Sequence, residues 1–204
     1  MEFQTQIAKN YLALGDSYTI GESVAENERF PMILVNDLNA KNYLFNTPKI
    51  VAKTGWTTGE LKEAILKENI QNNYDVVTLL IGVNNQYRGY DLEEFRTEFA
   101  ELLNMAITFA KKNTSNVVVV SIPDWSVSPF AKNRDRTKIS AEIDAFNTIK
   151  KEETLKRNVK FIDITPISRL GLNNNTYFAS DGLHFSGSMH QLWVNEIIQQ
   201  NFNK

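Results

Sequence analysis

The stretch Tyr11-Leu12-Ala13-Leu14, which runs directly into Gly15-Asp16-Ser17, sets the pattern for the whole chain. It is apolar at every position, whereas a strand with one face in water would alternate apolar and polar residues. Continuous apolar runs are typical of parallel strands that are buried on both faces. Four later runs are nearly as continuously apolar: Ile50–Ala52, Val76–Ile81, Val117–Ile122 and Val159–Ile164. The sequence therefore predicts a five-stranded parallel sheet.

Stretches with helical periodicity separate these strands. After Asp91, apolar residues recur at the 3.6-residue helical spacing from Leu92 to Ala106. Further helices are predicted near residues 29–38, 58–69 and 137–155, and after Ser186. Strands and helices that alternate with right-handed crossovers give a parallel sheet covered on both faces. No linker or internal repeat interrupts the alternation, so we expect one α/β domain over residues 1–204.

Composition and charge exclude several kinds of protein. The chain has no cysteine, so disulfides, thiol chemistry and cysteine-bound metal centres are ruled out. With two histidines, a histidine-rich metal site is not expected either. The net charge of −2 provides no electrostatic footprint for nucleic acid or an anionic membrane. The sequence contains no secretory signal and no membrane-spanning run, so we expect a cytoplasmic protein that does not insert into membranes.

Residues with catalytic potential follow the ends of the predicted strands. Ser17 follows the first strand, Gly55 the second and Asn84 the third, while Asp181 and His184 follow the fifth on a long loop. Ligands of open parallel sheets bind beyond the carboxyl ends of the strands, so these residues are expected to meet at one edge. A serine hydroxyl is a weak nucleophile that needs a base, and the base needs a group that fixes its tautomer. The set therefore points to acyl transfer.

Each of the five residues has a role in such a reaction. Ser17 is the candidate nucleophile, His184 the general base and acid, and Asp181 the partner of the other ring nitrogen of His184. The backbone N–H groups of Ser17 and Gly55 and the side-chain amide of Asn84 are the candidate donors to the oxyanion. Taken singly, each fragment is also explained as a turn or a cap, and only the ordered set favours catalysis.

Two further ionisable residues are given structural roles. Asp16 is expected to hold the serine loop by accepting backbone hydrogen bonds rather than to react. His190 lies within the last predicted helix and is interpreted as a surface or packing residue.

Taken in their order along the chain, these segments resemble the conserved sequence blocks of the SGNH, or GDSL-type, family of esterases and lipases. Gly15-Asp16-Ser17-Tyr18 is similar to the nucleophile block, with Tyr where the name-giving pattern has Leu, and Gly55 to the glycine block. Gly82-Val83-Asn84-Asn85 is similar to the asparagine block, which usually ends in Asp, and Asp181-Gly182-Leu183-His184 to the acid–base block. The resemblance spans residues 11–187. It implies a flavodoxin-like three-layer α/β/α fold and a serine esterase that uses no metal and no cofactor.

Aromatic residues after strands two to four are candidates for substrate binding. They are Trp56, Tyr87, Trp125 and Phe130, although each of them could equally well close the top of the core. The segment 123–130 lacks periodicity and contains two prolines, so we interpret it as a substrate-facing loop. No large apolar insertion is present to form a lid. We therefore expect a small open pocket for esters with short acyl chains, with acetyl groups on sugars among the candidates.

Other functions remain open at this point. A lysophospholipase or a thioesterase would use the same five residues, and a catalytically silent protein of the same fold could bind a glycan through Trp56 and Trp125. A nucleotide- or flavin-binding protein is not favoured, because residues 15–21 lack the lysine of a P-loop and the Gly-x-Gly-x-x-Gly spacing. The expected partner is a small-molecule ester, and the sequence makes no prediction of oligomeric state.

Overall fold

The computed structural model describes residues 7–202. Its parallel sheet has the strand order β2-β1-β3-β4-β5. The strands are β1 (Tyr11–Gly15), β2 (Lys49–Ala52), β3 (Val76–Leu80), β4 (Val117–Val120) and β5 (Lys160–Ile162). This order is the flavodoxin-like one, so the predicted five-stranded parallel sheet is confirmed.

Helices cover both faces of the sheet. They are α1 (Ser17–Ile20), α2 (Phe30–Ala40), α3 (Thr58–Lys67), α4 (Val83–Tyr87), α5 (Leu92–Phe109), α6 (Arg136–Lys156), α7 (Thr165–Ser168) and α8 (Gly187–Asn201). Helix α2 packs against α8, while α5 packs against both α3 and α6. Because right-handed crossovers place α2 on the face opposite to α3, α5 and α6 in this strand order, the layers are α/β/α as predicted.

The central strands of the sheet are more deeply buried than the edge strands. Every residue of β1, β3 and β4 is buried, as their near-continuously apolar sequences predict. The edge strands β2 and β5 are partly exposed, and β5 is shorter than the predicted run 159–164. The long helices turn their apolar faces to the sheet, and none within residues 7–202 is long and apolar enough to cross a membrane.

The switch in strand order creates the crevice in which a site can form. The chain leaves β1 towards one edge of the sheet and leaves β3 towards the other, so no crossover covers the space between their carboxyl ends. Gly15 and Leu80, the last residues of β1 and β3, are paired across this point. The segments that carry Ser17 and Asn84 therefore emerge side by side.

Candidate active site

Ser17 is the first residue of α1, directly beyond β1. The connection needs a glycine at position 15, because a Cβ atom there would lie 2.1 Å from Thr19 Oγ1 and 2.3 Å from the carbonyl oxygen of Leu80. The close approach of β3, rather than an unusual backbone angle, thus dictates this residue. The glycine allows the chain to turn at once from a buried strand into a helix whose first side chain is Ser17.

Two buried ionisable side chains, Asp16 and Lys150, lie behind the nucleophile segment. Asp16 is buried and accepts a hydrogen bond of 3.0 Å from the N–H of Tyr18, which confirms its structural role in the serine loop. Lys150 of α6 is buried and donates to the carbonyl oxygens of Ile81 at 2.9 Å and Val120 at 2.8 Å. Burial raises the pKa of Asp16 to about 7, although the Tyr18 N–H and the charge of Lys150 oppose the rise. Burial also lowers the pKa of Lys150 to about 7, against the attraction of Asp16.

Sequence reasoning missed Lys150, although a signal was present. Lys150 continues the spacing of the buried residues Ile139, Ile143 and Phe146 along α6, so it stands in the apolar stripe of that helix. A lysine at such a position indicates a buried charge. Its partner Asp16 belongs to a distant segment, and no local pattern connects the two.

His184 and Asp181 form a close pair on the loop before α8. Asp181 Oδ2 lies 2.7 Å from His184 Nδ1. Because a carboxylate only accepts, Nδ1 carries a proton, so in the neutral ring the lone pair lies on Nε2. Partial burial alone would raise the pKa of Asp181, but hydrogen bonds from the His184 ring, from Ser23 and from backbone N–H groups outweigh it and hold this pKa well below its usual range. Asp181 is therefore ionised at neutral pH.

The structure brings the predicted nucleophile and base to one opening. Ser17 and His184 line the same cavity, which has a volume of about 220 Å³. Tyr18, which follows Ser17 in the chain, packs edge-to-face on His184, with their ring centroids 6.0 Å apart. Within residues 7–202 the His184 ring hydrogen-bonds to Asp181 alone, and the bond from Ser17 is not formed. Nucleophile–base bonds are often long before substrate binds.

The three predicted oxyanion donors are placed unequally. Ser17 and Asn84 line the cavity, whereas Gly55 does not. The N–H groups of Ser17 and Gly55 donate to no other group within the described part of the chain. Asn84 Nδ2 donates to the carbonyl oxygen of Trp56 at 2.9 Å, which holds the segment 55–56 beside Asn84 and leaves the second amide N–H available. Arg88 Nη2 holds the carbonyl oxygen of Gly55 at 2.6 Å.

Asn85 stands where the resembled pattern usually has Asp, and its contacts explain the difference. Its Oδ1 accepts the N–H of Thr58 at 3.1 Å, and its Nδ2 donates to Thr58 Oγ1 at 2.7 Å. The Thr58 hydroxyl in turn donates to Glu98. Since a hydroxyl has one hydrogen to donate, an aspartate at position 85 would compete with Glu98 for it. Glu98 thus accounts for the asparagine.

Three of the four predicted aromatic residues line the cavity. The ring centroids of Tyr87 and Trp125 are 5.5 Å apart, and those of Trp125 and Phe130 are 6.1 Å apart. The guanidinium of Arg134 lies over all three rings, 4.6 Å from the centroid of Phe130. Trp56 does not line the cavity, because its side chain is half-buried and packs against the hydrophobic core. The geometry lends no support to the predicted contact between Trp56 and substrate.

The predicted substrate-facing loop connects this aromatic wall to the acid–base loop. The N–H of Phe130 donates to the carbonyl oxygen of Gly182 at 2.9 Å. At its other end, buried Asp124 forms an ion pair with Arg169 at 2.9 Å. The loop is therefore held at both ends, and a shift of the aromatic wall would also move the segment that carries His184.

His190 is a packing residue. It is buried in α8, and its ring centroid lies 4.8 Å from that of Trp193. Its Nδ1 lies 2.9 Å from the carbonyl oxygen of Glu28, so Nδ1 carries the proton. Burial lowers the pKa of His190 to about 4.

We expect His190 to make the protein sensitive to acid. Its folded-state pKa of about 4 is below the ordinary value of 6.5, so between these values the unfolded state binds more protons. His190 should therefore take roughly 3 kcal/mol from the free energy of unfolding as the pH drops through this window, while Asp16, whose folded-state pKa is raised to about 7, contributes with the opposite sign, so the difference between wild type and His190→Asn isolates the histidine. Urea unfolding at a series of pH values measures the slope. His190→Asn keeps a donor for Glu28 but does not titrate, so an equally steep slope in that variant would contradict the assignment.

Comparison with known proteins is consistent with this geometry. The family model described as the GDSL-like lipase/acylhydrolase family matches residues 13–192. No curated protein matches the chain in sequence. Among solved structures, the lipase/acylhydrolase from Enterococcus faecalis is similar, with a TM-score of 0.72, 19% identity and 94% of each chain covered. A variant of an acetyl-xylooligosaccharide esterase from Geobacillus has a TM-score of 0.74 and 18% identity over 97% of each chain. The psychrotrophic esterase EstA from Pseudoalteromonas has a TM-score of 0.67 and 15% identity, with 94% of this chain and 95% of that chain covered.

Proposed function

Because the chain belongs to the GDSL-like lipase/acylhydrolase family, we propose that it is a serine esterase that hydrolyses small carboxylic esters through an acyl-enzyme intermediate. The observation that carries the proposal is that Ser17 and His184 line one cavity while Asp181 holds the other ring nitrogen of His184. A free Nε2 directed by a carboxylate-bound Nδ1 is what the activation of a serine hydroxyl requires.

In the proposed reaction, Ser17 Oγ attacks the ester carbonyl carbon while His184 Nε2 takes the hydroxyl proton. The negative charge then moves to the carbonyl oxygen, where the N–H groups of Ser17 and Gly55 and the second N–H of Asn84 are available donors. Collapse of this intermediate breaks the ester C–O bond, and His184 gives its proton to the leaving alcohol. A water molecule, deprotonated by His184, then attacks the acyl-enzyme, the bond from the acyl carbon to Ser17 Oγ breaks, and His184 returns the proton to Oγ as the carboxylic acid leaves. Asp181 stabilises the imidazolium in both halves.

The size of the cavity supports a short acyl chain. Its volume of about 220 Å³ is below the roughly 300–1,000 Å³ of pockets that enclose drug-sized ligands. Tyr87 and Phe130 are 51% and 42% exposed, so the aromatic wall continues outward and could support an alcohol part larger than the acyl part. Aromatic faces of this kind also suit a sugar ring, so acetylated sugars are the favoured substrate class within the proposal.

Two alternatives remain distinguishable by experiment. A lysophospholipase or thioesterase would use the same triad with a different acyl or leaving group. A catalytically silent glycan-binding protein would need a sugar platform, and the half-buried Trp56 gives less support to that alternative than the sequence did.

The substrate class can be tested with an ester panel that varies one part at a time. We expect kcat/KM for p-nitrophenyl acetate and butyrate to exceed that for the octanoate by about tenfold or more, because additional methylenes find no room in the cavity. Acetylated xylo-oligosaccharides, a lysophospholipid and an acyl thioester complete the panel. Faster turnover of octanoate, or of the thioester, would overturn the short-chain ester assignment, and glycan binding without turnover would favour the silent protein.

A further inference from the structure

Ser23 contacts the candidate triad from outside it. Its Oγ donates a hydrogen bond of 2.7 Å to Asp181 Oδ2, the same oxygen that receives His184 Nδ1–H. The other oxygen, Oδ1, accepts the backbone N–H groups of Leu183 and His184, each at 2.9 Å. We propose that Ser23 is a positioning residue of the active site, which fixes the Asp181 carboxylate, and through it the His184 ring, relative to the nucleophile.

The segment that carries Ser23 begins at the nucleophile itself. Helix α1 ends at Gly21, and the N–H groups of Gly21 and Glu22 both donate to the carbonyl oxygen of Ser17 at 3.0 Å. The carboxylate of Glu22 accepts a hydrogen bond from Thr54, beside Gly55. The backbone from Ser17 to Ser23 is thereby held against the glycine loop. The bond from Ser23 to Asp181 then joins the nucleophile segment to the acid–base loop.

Within residues 7–202 this is the one hydrogen bond that joins the segment 17–23 to the loop 181–184, and the other contact between them is the packing of the Tyr18 ring on His184. The Ser17 hydroxyl makes no hydrogen bond to His184, and the other partners of Asp181 belong to its own loop. Without Ser23, the loop that carries Asp181 and His184 would keep its internal hydrogen bonds and lose this tie to the serine. Rate would then fall because the base spends less time in reach of Ser17 Oγ.

The backbone of Ser23 supports a functional reason for its position. Ser23 has a φ of +64°, a left-handed conformation that costs residues other than glycine free energy. The other residues with positive φ outside glycine, within residues 7–202, are Asn42, Asn69, Lys111, Lys112 and Asn158. All five lie two or three residues beyond the last residue of a helix of ten or more residues, where this conformation is common in caps. Ser23 instead lies beyond Gly21, which has already ended α1, so helix capping does not explain it.

The proposal rests on the proposed esterase function, and a set of variants separates the hydroxyl from the backbone. Ser23→Ala removes the hydroxyl and keeps the Cβ atom, while Ser23→Gly removes both. We expect kcat for p-nitrophenyl acetate to fall by about tenfold in each variant with KM nearly unchanged, as for the loss of one hydrogen bond to a charged group. The Tm of Ser23→Gly should equal that of Ser23→Ala or exceed it by up to about 4 °C, because glycine relieves the left-handed strain.

Two further variants complete the test. Ser23→Thr restores a hydroxyl at a less tolerant backbone position, so we expect kcat to return to within about threefold of wild type while Tm falls. Asn42→Gly is the matched control, since Asn42 has a φ of +65° and is exposed in the connection before β2, at the edge of the sheet opposite the site, and the kcat of this variant should not change.

Wild-type kcat in both Ser23→Ala and Ser23→Gly, in an enzyme that Ser17→Ala inactivates, would overturn the positioning role and leave the esterase proposal standing. A loss of kcat that tracks Tm across the four variants would also overturn it. Wild-type protein without activity on any ester would remove both proposals together.

Discussion

Ser17→Ala should reduce kcat for p-nitrophenyl acetate by roughly 10⁴–10⁶-fold, the loss typical when the nucleophile of a serine triad is removed. The reason is that no other group can form the covalent intermediate at this opening. Ser17 is 5% exposed and lines the cavity, and His184 Nε2 is the base available beside it. Steady-state hydrolysis measures the effect, and covalent labelling by a fluorophosphonate should disappear in parallel.

The chain offers a matched control for this variant. Ser128 is buried in the loop after β4, and its Oγ has no hydrogen-bond partner within residues 7–202. Ser128→Ala should therefore leave kcat within about twofold of wild type and leave stability unchanged or slightly raised, since an unsatisfied buried hydroxyl is removed. Activity above about 1% of wild type in correctly folded Ser17→Ala would contradict the assigned nucleophile.

Lys150→Met should lower the free energy of unfolding by about 3–5 kcal/mol, which corresponds to a fall in Tm of roughly 6–20 °C. Methionine fills most of the volume but donates no hydrogen bonds, so the carbonyl oxygens of Ile81 and Val120 lose their partner. The carboxylate of Asp16 also loses its positive neighbour. Urea and thermal unfolding followed by circular dichroism measure the change.

The pH dependence of this loss provides a second check. The pKa of Asp16 is already raised to about 7, and without Lys150 it should rise further, so the folded variant holds a proton that the unfolded chain releases. The contribution of such a group to the free energy of unfolding falls as the pH rises. Lys150→Met should therefore be destabilised more, relative to wild type, at pH 8 than at pH 5. Lys151→Met, the exposed neighbour on α6, should change the free energy of unfolding by no more than about 0.5 kcal/mol. Equal destabilisation at both pH values would indicate that the lost hydrogen bonds alone matter.

Much of the fold could be predicted because its signals are local. The buried strands β1, β3 and β4 are near-continuously apolar, and α5 carries a clear helical period. Helices α1 and α4 were not predicted, because each is too short to show a period. These two short helices nevertheless matter for the site, because they begin directly after β1 and β3 and carry Ser17 and Asn84.

The candidate site was predictable to the extent that it consists of strand ends. Ser17, Asn84 and His184 line one cavity because the carboxyl ends of parallel strands meet there. The side chain of Trp56 was expected in the same place and instead packs on the core. Its position in sequence, one residue after Gly55, could not indicate towards which side the ring turns.

The sequence by itself determined the fold class, the order of the strands' apolar runs and the residue types at their ends. These follow from the period of burial and from the chemistry of single residues, both of which can be read within a short window. The tertiary structure alone decided that Lys150 holds the carbonyl oxygens of Ile81 and Val120, that Thr58 links Asn85 to Glu98, and that Ser23 holds Asp181. Each of these is a contact between segments far apart in the chain, and its free energy depends on a distance of a few ångströms that no local pattern encodes.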